Sequence, residues 1–113
     1  MRSPAAKVLE LVVFKLNEGV SREQFLATND RVSAWAREQP GFISREMSYD
    51  AEDDRWIDVV WWASLEDAQT AAEHALSSES CLPMFSLIDT ESTVMIHAAP
   101  VMERVAADSA VAV

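Results

Sequence analysis

The stretch WIDVVWW, residues 56–62, decides the fold because it is apolar on both sides of an extended strand. Successive side chains of a strand point to opposite faces of a sheet. This alternation gives two rows: Ile57, Val59 and Trp61 in one, and Trp56, Asp58, Val60 and Trp62 in the other. Both rows have to be covered in the folded protein, and one of the two coverings has to accept the Asp58 carboxylate.

The composition is that of one small globular domain. The chain has 113 residues, of which 50% are hydrophobic and only two are glycine. A domain of this size leaves part of its apolar surface unburied, which favours a partner surface. Nine basic and nineteen acidic residues give a formal net charge of −10. Because nucleic acids and anionic membranes bind clustered Lys and Arg, we expect neither as a partner.

Cysteine use and the first residues predict a reduced, cytoplasmic setting. Cys81 is the only cysteine, so an intrachain disulfide is impossible, and we interpret it as a small buried residue. No Cys/His set has zinc spacing, and we expect neither a metal nor a cofactor site. The apolar run near the start is interrupted by Lys7, Glu10 and Lys15, unlike a signal peptide or a membrane span.

Hydrophobic periodicity and turn signals predict six main elements. Ser21 and Gln24 form a capping box that opens a helix ending at Pro40-Gly41, and Ser64 opens a second helix. The predicted strands cover residues 7–16, 42–49, 55–63 and 92–98, the middle two joined by an acidic turn at 50–54. Residues 77–90 read as a loop with one short helical turn.

The order β-α-β-β-α-β is typical of the ferredoxin-like fold of the α+β class. Its sheet has four antiparallel strands, and both helices lie on one face. We therefore expect a single domain over residues 1–98. The Ala/Val-rich tail, residues 99–113, is either disordered or an arm that lies on a partner.

The alternation also predicts which residues share a face. We expect the wholly apolar rows to lie under the helices: Leu9, Leu11 and Val13 with Trp61, Val94 and Ile96. The opposite rows would then form an open face containing Val12, Phe14, Val60 and Met95. Such a face exceeds the apolar patch of a soluble monomer. A second copy is its obvious cover, so we expect a homodimer formed sheet to sheet.

Two further stretches carry a resemblance to a known family. The segments PGF at 40–42 and WWASLEDAQTAAEH at 61–74, together with the element order, resemble the dimeric α/β-barrel superfamily and its antibiotic-biosynthesis-monooxygenase branch. The resemblance covers roughly residues 7–98. It implies a homodimer and an activity such as cofactor-free oxygenation of aromatic compounds, haem degradation or isomerisation.

The resemblance also implies roles for single residues. A Trp at the end of the third strand lies near the substrate in monooxygenases of this branch, a role that falls on Trp62, although Trp62 would also fit as simple packing. Several such families use a helix His, but His74 points away from the apolar stripe. Haem degradation implies an Asn in the first strand, where this chain has Val12.

The alternation places polar side chains on the same face as Trp62: Glu10, Asp58 and His97. Arg45 joins them if the hairpin pairs Asp50 with Arg55, whereas a slip of one residue would put Glu46 there instead. Lone buried charges cost several kcal/mol, so these groups form either a structural ion-pair network or a site. In a site, His97 is the candidate base, Asp58 its partner and Trp62 an aromatic wall. Glu10, Arg45, Trp56 and Met95 would contact a small apolar or aromatic ligand. The alternatives are a cofactor-free monooxygenase and a non-catalytic dimerisation protein.

Overall fold

The computed structural model describes residues 7–104 and 106. Seven elements follow along the chain: β1 (Val8–Leu16), α1 (Arg22–Arg37), β2 (Phe42–Asp50), β3 (Arg55–Trp62), α2 (Leu65–Ala75), α3 (Leu82–Phe85) and β4 (Ile88–Ala98). No helix in this part of the chain is long and apolar enough to cross a membrane. Residues 99–104 have no regular structure, and most of the predicted tail lies outside the described residues.

The four strands form one antiparallel sheet in the order β2-β3-β1-β4. Val12 at the centre of β1 lies opposite Asp58 of β3 on one side and Met95 of β4 on the other. Side chains of both long helices are buried against the same face of this sheet. The ferredoxin-like fold predicted from the element order is confirmed.

Both predicted helix starts have the expected caps. The Ser21 hydroxyl accepts the Gln24 backbone N–H at 3.0 Å, and the Gln24 side chain accepts the Ser21 N–H, completing the capping box. At α2, the Ser64 hydroxyl accepts the Asp67 N–H at 3.0 Å. These bonds satisfy backbone donors that a helix start otherwise leaves without partners.

The last strand begins earlier than its sequence predicts. β4 starts at Ile88, four residues before the expected Ser92, and its pairing with β1 shifts register between Val13 and Lys15. The Ser92 hydroxyl accepts the Lys15 backbone N–H at 2.9 Å and donates to the Asp89 carbonyl at 2.7 Å. The polar residues that suggested a loop therefore form an irregularity inside the strand.

The sheet is oriented opposite to our expectation. The face covered by the helices carries the row that we predicted to be open: Val8, Phe14, Trp56, Asp58, Val60 and Trp62 are all buried. Phe14 is 1% exposed and lies 5.6 Å from Phe25 of α1, measured between ring centroids. The predicted dimer contact through Val12, Phe14, Val60 and Met95 is therefore wrong.

The opposite face is apolar in β1, β3 and β4 and polar in β2, where Ser44, Glu46 and Ser48 lie. It carries two partly buried rows, Leu9, Leu11 and Val13 with Ile57, Val59 and Trp61, and the half-exposed Val94 and Ile96. Trp61, which we expected beneath the helices, lies here with the Lys7 ammonium 4.9 Å from its ring centroid. We call this surface the open face.

The reason for the reversal lies in the polar groups and in the helices. We assumed that helices cover the most apolar row, but the buried residues of α2 are alanines, which leave space above the sheet. Charged groups in that space find partners within the chain, including Asp58, which lies 2.9 Å from Arg45. A charge is tolerated inside a protein when it is paired and hydrogen-bonded.

Candidate functional site

A cavity of about 580 Å³ lies between the sheet and the helices. Glu10, Val60 and Trp62 contribute to its sheet wall, and Val32 of α1, Ala71 of α2 and Met84 of α3 to the opposite wall. Its volume is in the range of pockets that enclose small organic molecules, and such pockets combine apolar walls with a few polar groups. This cavity likewise combines apolar walls with a few polar groups.

Arg45 and Asp58 form a buried ion pair in the cavity wall. Arg45 Nε donates to Asp58 Oδ1 at 3.0 Å and Nη2 donates to Oδ2 at 2.9 Å, which is a two-point contact. The two side chains are 5% and 11% exposed. The remaining nitrogen, Nη1, donates to the Ser33 hydroxyl at 2.7 Å and reaches the Asn29 carbonyl at 3.5 Å. Arg45 therefore ties β2 to α1 and gives Asp58 a fixed partner.

Glu10 is the second carboxyl group of the cavity wall; it is partly buried and has fewer hydrogen-bond partners than Asp58. The Trp62 indole Nε1–H donates to Glu10 Oε1 at 3.0 Å. His97 Nε2 lies 3.6 Å from the same oxygen, too far for a hydrogen bond, and has no other partner. Burial raises the pKa of Glu10 above its usual value, and this effect outweighs the opposing influence of His97 and the Trp62 bond. The Glu10 carboxyl group thus has one hydrogen-bond donor, Trp62, and a neighbouring imidazole that does not bond to it.

The two histidines occupy different surroundings. His97 lies beside Glu10 on the neighbouring strand and does not line the cavity. His74 of α2 is exposed, as its position on the helix predicts. Val12, at the position where haem degradation implies an Asn, lies in the cavity wall. Neither histidine of the sequence offers its imidazole directly to the cavity.

The remaining predicted ligand contacts divide between two cavities. Met95 lies in the wall of the main cavity, whereas Trp56 lies in a second cavity of about 500 Å³ between α1 and β2. Arg45 borders both. In residues 7–104 and 106, no three His, Cys, Asp or Glu side chains form a group that could hold a metal ion.

Two features of the candidate site were not predicted from the sequence. Ser33, which anchors Arg45, lies between the buried Val32 and Ala36 on α1, and nothing in its local sequence separates it from other surface serines. Cys81 is fully buried as predicted, and burial raises the pKa of its thiol. It also borders the cavity, a placement that depends on how α3 folds over the sheet.

Comparison with known proteins supports the fold. No family model matches the chain, and no curated protein matches its sequence. A variant of SnoaB, a cofactor-independent oxygenase from Streptomyces nogalater, matches the structure with a TM-score of 0.68 at 16% identity, over 87% of this chain and 96% of the SnoaB chain. The two proteins share the same fold, a four-stranded antiparallel sheet covered by helices.

Two other solved structures give the same result. A protein from Bordetella bronchiseptica, provisionally assigned as an antibiotic biosynthesis monooxygenase, has a TM-score of 0.68 at 16% identity, over 86% of this chain and 99% of its own. Rv0793 from Mycobacterium tuberculosis has a TM-score of 0.65 at 19% identity, over 86% and 97%. The resemblance stated from the sequence is confirmed for the fold. At sequence identities this low, the activity of one protein cannot be inferred from that of the other.

Proposed function

We propose that the protein binds a small aromatic ligand in the main cavity and oxygenates it with O₂ without a cofactor. The observation that carries this proposal is the position of Glu10, a carboxyl group of raised pKa in the wall of a mostly apolar cavity whose other buried carboxylate, Asp58, is paired with Arg45. A carboxylate in such surroundings is a stronger base than one in water, since the ionised form is poorly solvated. The likeness to SnoaB, a cofactor-independent oxygenase, supports the same reading.

The proposed chemistry needs a base, O₂ and a substrate that forms an electron-rich anion. Glu10 removes a proton from an anthrone-like CH₂ or a phenolic group. One electron passes from the resulting anion to O₂, and the two radicals combine to form a C–O bond. The peroxide regains the proton; its O–O bond then breaks as the remaining C–H proton leaves, giving a ketone and water. One oxygen atom enters the product and the other leaves as water.

Each polar residue has a part in this proposal. Glu10 faces the substrate and takes its proton. His97, 3.6 Å from the Glu10 carboxyl group on the neighbouring strand, moves closer to accept that proton, which modifies our expectation that His97 alone is the base. Trp62 fixes Glu10 through its indole N–H and presents its ring to the cavity. Asp58 and Arg45 act on the ligand through the shape of the wall, because the ion pair satisfies both charges.

We also propose that two copies pack through the open face to form a homodimer. Three neighbouring strands present apolar side chains there, and a soluble monomer rarely exposes so large an apolar patch. The same observation favours the second candidate function, a non-catalytic dimerisation protein. The two candidates differ in whether the cavity does any chemistry.

Oxygen uptake with a panel of anthrone- and naphthol-like phenols in air tests the proposal. We expect Glu10→Gln and His97→Ala each to lower turnover by about 10²-fold or more, the usual scale for a positioned acid or base. His74→Ala is the matched control, since its imidazole is exposed, and should leave turnover unchanged. Ligand binding without oxygen uptake would instead favour the binding protein, and equal losses in both His variants would remove His97 from the site.

A further inference from the structure

The main cavity and the second cavity meet at one side chain. Among the described residues, Arg45 is the only one that borders both. On α1, Asn29 and Ser33 face the second cavity, while Val32 and Ala36 face the main one. Arg45 extends from β2 to Ser33 between these two groups, so its side chain forms the wall between the cavities.

This wall is held rigidly. All three guanidinium nitrogens of Arg45 donate hydrogen bonds, two of them to Asp58 and one to Ser33. A planar guanidinium with this many bonds has one position, unlike a flexible surface side chain. A ligand in the main cavity therefore meets a fixed boundary at Arg45.

The second cavity is bordered by aromatic rings and by polar side chains. Trp56 and Tyr49 border the second cavity with their ring centroids 4.8 Å apart. The Arg22 guanidinium lies 4.5 Å from the Tyr49 ring centroid, close enough for a cation–π contact. An aromatic ligand long enough to pass Arg45 would enter surroundings of aromatic faces and polar groups.

We propose that Arg45 determines the length of the aromatic ligand by closing the main cavity against the second one. The inference rests on the proposed binding of an aromatic ligand and is independent of the oxygenation chemistry. Removing the wall joins spaces of about 580 and 500 Å³ and admits ligands that the protein otherwise excludes. Arg45 is thus a specificity-determining residue.

The test compares two charge-free variants of the ion pair. Arg45→Ala/Asp58→Ala opens the wall, whereas Arg45→Met/Asp58→Leu keeps its bulk and removes the same charges. Binding is measured by quenching of tryptophan fluorescence with a linear series of hydroxylated aromatics of two to five fused rings. We expect the first member excluded by the native protein to bind the open variant about tenfold more tightly or better, from the apolar area of one further buried ring. The filled variant should keep the native ranking.

The other possible results distinguish a failure of the role of Arg45 from a failure of the proposed ligand class. An unchanged ranking in the open variant, or the same gain in both variants, would overturn the role of Arg45 while leaving aromatic binding intact. If the native protein and both variants bind no member of the series, the inference and the proposed ligand class both fail. Should the open variant not fold, Arg45→Lys keeps a charge opposite Asp58 with a narrower side chain, and it should show the same shift to a smaller extent.

Discussion

The two faces of the sheet differ in how their side chains are covered. Beneath the helices lie two carboxyl groups, an arginine and a cavity, while the open face is apolar in three of the four strands. A buried charged group needs a partner at a fixed position. Within one chain, Arg45 and Asp58 are each other's partners, and Ser33 accepts a further hydrogen bond from Arg45. At a symmetric interface, by contrast, a charge near the axis meets its own copy. The apolar row is therefore the one suited to association, and the polar row the one suited to a site.

The largest effect is expected when the same substitution is made at two neighbouring residues of β3 that point to opposite faces of the sheet. Val60 is 6% exposed under the helices, so Val60→Asp places an unpaired charge in the core, and we expect loss of the folded state. Val59→Asp makes the same change on the open face. We expect it to leave the fold intact and to weaken the dimer by about 100-fold or more.

Circular dichroism for folding and sedimentation velocity for mass distinguish the two outcomes. Leu65→Asp, an equivalent change at an exposed position in the first turn of α2, should alter neither. A native protein that is monomeric at micromolar concentration would remove the dimer from the proposal. A Val60→Asp protein with native stability would contradict the assignment of the faces.

A second test removes one partner of the buried ion pair. Arg45→Met leaves Asp58 without a counter-charge, and we expect the free energy of unfolding to fall by about 3–5 kcal/mol. Arg45→Met/Asp58→Leu should recover most of this loss, because an apolar pair replaces an ionic one without an orphaned charge. Urea unfolding measures both. Equal losses in the single and double variants would show that packing rather than charge pairing sets the stability here.

The smallest expected effect is a pH dependence of the free energy of unfolding that arises from Glu10 on the helix-covered face. The raised pKa of Glu10 means that the folded state binds this proton more tightly than the unfolded state does. Its contribution to stability is thus fully present below the ordinary value of 4.5 and is lost as pH rises through the pKa of the folded protein. Glu10→Gln stays neutral, so its stability relative to the native protein should increase over that range.

Unfolding midpoints collected from pH 4 to 8 give this difference directly. Glu46→Gln is the matched control, because Glu46 lies opposite Val59 and is exposed on the open face. Its difference from the native protein should not follow the same curve. A flat difference for Glu10→Gln would indicate that Glu10 is solvated in the native state.

The elements of the fold were predictable because their signals are local. Alternation located the strands, and Ser21 and Ser64 located the helix starts. The pairing of Asp50 with Arg55, one of the two registers that the sequence allowed, brings Arg45 onto the same face as Asp58. Alternation also predicted that Glu10 and His97 share a face, and the register of β1 with β4 then makes them direct neighbours.

The choice of face was not predictable by the same means. Reversing a sheet relative to its helices preserves every alternation within its strands, so local pattern cannot distinguish the two arrangements. The decision depends on how the small side chains of α2 and the anchoring of Arg45 by Ser33 fill the space above the sheet. Those are contacts between distant segments, and the cavity is a product of them.

The position of β1 has a consequence for the order of assembly. It is the first strand of the chain but stands inside the sheet, between β3 and β4. Its second set of backbone partners begins at Ile88, more than seventy residues after its own end at Leu16. The chain loses the conformational entropy of closing this long loop before the pairing of β1 with β4 contributes any stabilising free energy. No early fragment of the chain can therefore assemble the Glu10–His97 pair, and the site forms only with the last strand.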